Sequence, residues 1–185
     1  GVSGGIAAYK AVALASQWTG QGYVVRVVMT ASAQHLIQPR SFAAVTGQRV
    51  YTRLWEDTLD SDIEHISLVD WARLVVVAPA TADLMAKMAG GHADHLASTL
   101  LMATDKRVLI APAMNVRMWD HPATQRNLAT LRGDGVLVAG PNEGDMACGE
   151  FGPGRMAEPD EIVTAVGAAL GDGPLKGKRI IVTSG

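Results

Sequence analysis

Four short stretches, 23–29, 74–78, 107–111 and 136–139, are apolar and rich in β-branched residues, with no alternation of polar positions. Continuous apolar runs of this length predict strands buried on both faces, as in parallel sheets. Between them the periodicity changes. Apolar residues recur at helical spacing over 6–18, from Ala31 onward, over 82–102 with an interruption at Gly90 and Gly91, over 122–131 and over 160–170. Strand alternating with helix implies right-handed βαβ crossovers. The expected fold is therefore α/β: a doubly wound, mostly parallel sheet of Rossmann-like, flavodoxin type with helices on both faces. Ligands of such sheets bind at the carboxyl ends of the strands, so chemistry is expected in the loops after Met29, Ala78, Ala111 and Ala139.

The chain opens at Gly1 inside a glycine loop and closes on 178–185, a strand running into a second such loop, so further sequence is expected on either side. Residues 171–177, GDGPLKG, read as a Gly/Pro-containing boundary. The expected division is a domain over 1–170, a linker over 171–177, and the start of another domain over 178–185.

Composition limits the partners. A chain of 185 residues, 48% of them hydrophobic, suits one well-buried domain. Sixteen basic against 18 acidic residues give a net charge of −2, which argues against nucleic acid or a polybasic membrane surface and for a small ligand. A single cysteine allows no intrachain disulfide and fits a reducing compartment, so a cytoplasmic address is expected. No apolar run approaches the roughly 20 residues that span a bilayer.

The candidate chemistry falls at the expected loops. GVSGGIAA (1–8) leads into the first helix and offers backbone N–H groups and the positive helix end beside Ser3, Gly4 and Gly5. That suits a phosphate, although the glycines also fit a tight turn. The spacing matches neither the dinucleotide fingerprint nor a P-loop; a mononucleotide such as FMN is one ligand that suits it. Thr30 is placed either to cap the next helix or to hydrogen-bond a ligand. APATAD (78–83) puts small residues and Thr81 at a strand end, where a planar ring can approach the backbone or a stiff turn can form; Ser98 follows on a helix. APAMN (111–115) aims Met114 and Asn115 at the same rim, with Asn115 free either to hold a carboxylate or to make an Asx-turn. Among five histidines, His65 in IEHISL (63–68) lies just before a helix, where it is either structural or a base near neutral pH. His92 and His95 lack the further ligands a metal needs, so no metal site is expected. The lone cysteine, Cys148, sits in ACGEFGPGRM (147–156), a glycine-punctuated loop that reads as a clamp over a ligand.

In this order, GVSGGIAAYK, IEHISL, APATAD, PAMN and ACGEFGPGRM resemble the homo-oligomeric flavin-containing cysteine decarboxylases. The likeness covers essentially 1–170, and PAMN together with the cysteine clamp is its most specific part. The resemblance implies FMN held by Ser3, Gly4, Gly5, Thr30, Ala78, Thr81 and Ser98. It implies His65, Asn115 and Cys148 as catalytic residues, with Met114, Asn115, Ala147, Gly149 and Arg155 against the substrate.

The implied reaction converts 4′-phosphopantothenoylcysteine to 4′-phosphopantetheine in coenzyme A biosynthesis. FMN takes hydride from the side-chain CH2–SH to give a thioaldehyde, carbon dioxide leaves, and reduced FMN returns hydride to the ene-thiol. In that scheme His65 assists proton removal, Asn115 orients the carboxylate, and Cys148 donates the last proton. Lys10, Arg117 and Arg155 are candidates for the substrate phosphate. The family also implies a homotrimer, or an assembly of trimers, with Trp55, Trp71, Met118 and Trp119 available to an interface. The tail, 175–185, resembles the start of a phosphopantothenate–cysteine ligase domain. A peptidyl-cysteine decarboxylase that stops at the ene-thiol, a flavin prenyltransferase and a non-catalytic regulatory flavoprotein are the alternatives.

Overall fold

The computed structural model describes residues 7–54, 64–146, 149–171 and 179–184. The apolar runs become the strands of one parallel sheet: β1 (Val24–Met29), β2 (Val50–Tyr51), β3 (Leu74–Ala80), β4 (Arg107–Pro112), β5 (Leu137–Val138) and, from the tail, β8 (Arg179–Ser184). Their order is β2-β1-β8-β3-β4-β5. A separate antiparallel hairpin joins β6 (Asn142–Asp145) to β7 (Phe151–Arg155).

Helices cover both faces. Leu74, Val76 and Ala78 of β3 pack on one side with Leu14 and Trp18 of α1 (Ala8–Gly20), Phe42 of α3 (Pro39–Thr46), and Ile162 and Val166 of α9 (Pro159–Leu170). Val75, Val77 and Ala80 point the other way. They meet Leu68 of α4 (Glu64–Trp71), Leu84 and Met85 of α5 (Ala82–Gly90), Leu100 of α6 (Leu96–Ala103) and Leu128 of α8 (Pro122–Gly133). Every residue of β3 is buried, which accounts for a strand sequence without polar alternation. The short helices α2 (Ala31–Gln34) and α7 (Val116–Asp120) follow β1 and β4 directly.

The expected helix from Ala31 is two helices, because Pro39 starts a new one at its first position. The interruption at Gly90 and Gly91 is borne out: α5 ends on Gly91 at φ 68°, and α6 begins after His95. Two expectations differ from the structure. Residues 147–156, read as a glycine-punctuated loop, supply the second strand of the β6–β7 hairpin, whose first strand is Asn142–Asp145. Strand β8, read as lying beyond a domain boundary, is hydrogen-bonded between β1 and β3 with Val182 fully buried. The linker residues 172–178 lie outside the described residues.

Candidate functional site at the carboxyl ends of the strands

Because the main-sheet strands are parallel, Thr30 after β1, Thr81 after β3 and Asn115 after β4 stand on one rim. Helix α1 ends at Gly20 just before β1 begins, so its first turn lies at this rim as well. The expected glycine loop precedes that turn, and Ser3, Gly4 and Gly5 lie outside the described residues.

Each rim residue caps a helix. Thr30 Oγ1 accepts from Ala33 N–H at 3.3 Å, and Thr81 Oγ1 accepts from Leu84 N–H at 3.3 Å. A hydroxyl used as an acceptor keeps its proton to donate. Asn115 Oδ1 accepts from Met118 N–H at 2.8 Å and caps α7. With its oxygen committed, the amide presents an NH2 that has no protein acceptor among the described residues, so capping and carboxylate binding are compatible. Ala78 and Ala80, fully buried, give the end of β3 a small-residue surface.

The hairpin docks on this rim through glycine. Met114 N–H donates to Gly154 O at 3.0 Å, and a Cβ on Gly154, at φ +125°, would stand 2.4 Å from Met114 O. One strand position earlier in the same face, a Cβ on Gly152 would meet Val116 Cγ2 at 3.0 Å. Arg117 Nε pairs with Glu150 Oε1 at 3.2 Å, and Gly149 N–H donates to Met146 O at 2.9 Å. Ala147 and Cys148 lie outside the described residues.

His65 falls in the first turn of α4, inside the helix rather than before it, and its side chain is outside what the structure describes. Arg155 does not reach out as a free cation: its Nη2 donates to Glu158 Oε1 at 2.5 Å while the side chain lies over Gly144. Ser98 is not brought to the rim. It is 2% exposed, accepts from His95 N–H at 3.1 Å, donates to Asp94 Oδ1 at 3.0 Å, and lines a cavity of about 230 Å³ with Met88, Leu101, Arg107 and Val136 where β4 begins. Asp94 is held at a pKa of about 2, chiefly by the Lys87 ammonium 2.7 Å away. His95 caps α6 through Nδ1, which accepts from Ser98 N–H at 3.2 Å, and burial pushes its pKa down.

Glu158 was not among the residues picked out by sequence. Its signal was the acidic pair Glu158 and Glu161 around Pro159, a capping-box spacing at the start of a helix.

Helix-capping hydroxyls and an amide thus line the carboxyl ends of the strands of a doubly wound α/β sheet, the edge at which proteins of this class bind ligands. The chain belongs to the flavoprotein family, whose sequence model matches residues 1–171. It is 45% identical over 187 aligned positions to the coenzyme A biosynthesis bifunctional protein CoaBC of Bacillus subtilis, covering 100% of this chain and 46% of that relative. With CoaBC of Escherichia coli K12 it shares 45% over 186 positions, again 100% of this chain and 46% of the relative. The chain thus spans about half the length of the curated relatives it matches. Among solved structures, a cysteine-to-serine mutant of PPC decarboxylase complexed with pantothenoylaminoethenethiol superposes with a TM-score of 0.79 at 34% identity, covering 89% of this chain and 92% of that one. The FMN-dependent cysteine decarboxylase SpaF gives 0.77 at 34% identity, with 91% of each chain covered.

Proposed function

We propose that this chain is the FMN-dependent decarboxylase part of a coenzyme A biosynthesis bifunctional protein, converting 4′-phosphopantothenoylcysteine to 4′-phosphopantetheine. The observation that carries the reading is the joint between Gly154 and Met114, which seats the clamp hairpin directly on the loop that presents Asn115. The relatives named above, a CoaBC protein and a PPC decarboxylase holding an ene-thiol analogue, support it.

The residues present fit FMN. Thr30 and Thr81 offer hydroxyl protons at the ends of β1 and β3, the small residues of 78–80 let a planar ring approach backbone at the end of β3, and the glycine loop with Ser3, Gly4 and Gly5 is the reading for the phosphate. When bound, FMN supplies reversible hydride transfer, which turns the thiol-bearing carbon into an electron sink β to the carboxylate and later restores it. The chain's own residues do the rest. His65 takes a proton, and Asn115 donates from Nδ2 to the substrate carboxylate. A neutral amide binds that group without stabilising its charge as a cation would, which favours its departure as carbon dioxide. Cys148 supplies the proton that accompanies reduction of the ene-thiol.

The remaining readings extend from this one. The assembly is a homotrimer or a set of trimers, supported by the exposed apolar side chains of Tyr9, Ile66, Met102 and Phe151. A phosphopantothenate–cysteine ligase domain follows in the same polypeptide, a reading supported by CoaBC relatives of which this chain covers 46%. The protein works in the cytoplasm; among the described residues no helix is long and apolar enough to cross a membrane.

The test is mass spectrometry of 4′-phosphopantothenoylcysteine incubated with the FMN-loaded protein. Saturated 4′-phosphopantetheine is the expected product. Accumulated ene-thiol points instead to a peptide-modifying type, and unchanged substrate with FMN still bound points to a regulatory flavoprotein.

A further inference from the structure

Lys10 is the most conspicuous charged group that the proposed chemistry leaves unused. It sits in the first turn of α1 and is 8% exposed. Its Nζ donates to both Oε1 and Oε2 of Glu158 at 2.9 Å. Glu158 in turn receives Arg155, the last residue of β7, so one carboxylate joins the buried lysine of α1 to a root of the clamp hairpin. The other root is tied nearby: Asn142 Nδ2, at the start of β6, donates to Glu161 Oε2 at 2.6 Å, and that oxygen also accepts Glu158 N–H at 2.7 Å. Two cations and two carboxylates therefore close a neutral network over the base of the hairpin. Among the described residues the rest of the two-stranded sheet is held chiefly by α7 and the Met114 loop, and such a hairpin has little stability of its own.

We propose that Lys10 and Glu158 form a positioning pair that fixes the clamp hairpin relative to the first turn of α1. Neither residue contacts substrate. The pair sets how closely the clamp meets the rim, and a displacement of the order of 1 Å in such an element costs up to about a hundredfold in rate. The catalytic consequence rests on the decarboxylase reading above; the mechanical one does not. The geometry also separates Lys10 from the phosphate role open to it on sequence grounds, because both carboxylate oxygens already hold its ammonium.

The experiment compares FMN-loaded wild type with Lys10→Met, Lys10→Arg, Glu158→Gln and the double variant Lys10→Met/Glu158→Gln. Two readouts are used: hydrogen exchange of amides in 142–146 and 149–155 against those of β3 and β4, and kcat/KM on 4′-phosphopantothenoylcysteine and on its dephosphorylated form. Exchange in the hairpin is expected to rise about tenfold or more in Lys10→Met and Glu158→Gln, with β3, β4 and the bound-flavin absorption unchanged. Activity is expected to fall by about tenfold on both substrates alike, with a larger share of ene-thiol product. Lys10→Arg should retain most of it, and the double variant should be no worse than either single one. Glu158 is more exposed than Lys10, so its variant keeps the test usable if Lys10→Met does not fold. Unchanged hairpin exchange in Glu158→Gln overturns the proposal, as does a loss confined to the phosphorylated substrate, which makes Lys10 a phosphate ligand. An inert wild type overturns the decarboxylase reading alone, and hairpin exchange still decides the pair.

Discussion

The rim and the clamp are built on different principles although they meet at one joint. The rim grows from strand ends whose residues, Ala78, Ala80 and Ala111, are fully buried in a sheet packed on both faces. The clamp is a two-stranded hairpin with Phe151 68% exposed, held by two close glycine approaches, one ion pair to α7 and the network around Glu158. Binding geometry on the rim is thus part of the fold. Clamp geometry depends on a few local contacts, so it can be altered without unfolding the protein.

The sharpest way to break that contrast is Asn115→Asp. Aspartate caps a helix as well as asparagine does, so thermal stability should hold to within about 0.5 kcal/mol. It is acceptor-only when ionised and repels a carboxylate, so turnover should fall by about a hundredfold or more, measured by steady-state decarboxylation. If activity survives, the amide is only a cap. Next in size is Gly154→Ala. Its Cβ would stand 2.4 Å from the Met114 carbonyl, so the hairpin must shift. KM for substrate should rise by about tenfold while FMN retention is unchanged, as read from the flavin spectrum. Loss of flavin in this variant would mean that rim and clamp are not separable.

A smaller effect is expected from Thr81→Ala. Removing this cap should cost about 1 kcal/mol by denaturant unfolding and weaken FMN binding, whereas hairpin exchange should not move. The smallest concerns the far end of the sheet. His95 caps α6 as the neutral imidazole, since its Nδ1 accepts Ser98 N–H. Its pKa is lowered, so the unfolded chain binds the proton more readily and stability is lost as pH falls below the ordinary value of 6.5. His95→Asn, which keeps a cap without titrating, should remove this slope in unfolding measurements between neutral and mildly acid pH.

The same contrast explains what could be read from the sequence. Strands β3 and β4 were legible because burial on both faces leaves continuous apolar runs, and α5 was delimited by Thr81 at one end and Gly91 at the other. The capping alternative raised for Thr30 is realised, and Thr81 and Asn115, whose alternatives were turns, cap α5 and α7. The hairpin was not legible: Asn142–Asp145 and Phe151–Arg155 are polar or glycine-rich, and they become strands only through docking on Val116 and Met114. Tertiary contact overrides weak β-propensity there. Lys10 stood as a candidate for the substrate phosphate because its partner Glu158 lies 148 positions away, whereas the Arg155–Glu158 pair, three residues apart, was within reach of a local reading. Ser98 came in as an FMN ligand through the family resemblance, and its sequence neighbourhood carries no signal of which end of the sheet it faces.

The most direct measurement follows carboxyl-labelled 4′-phosphopantothenoylcysteine through a single turnover of FMN-loaded wild type and Asn115→Asp. Label leaving as carbon dioxide from wild type, with saturated 4′-phosphopantetheine formed and the label retained in the variant, is the predicted result. Retention of label by flavin-loaded wild type, or release at equal rates from both proteins, would contradict the account.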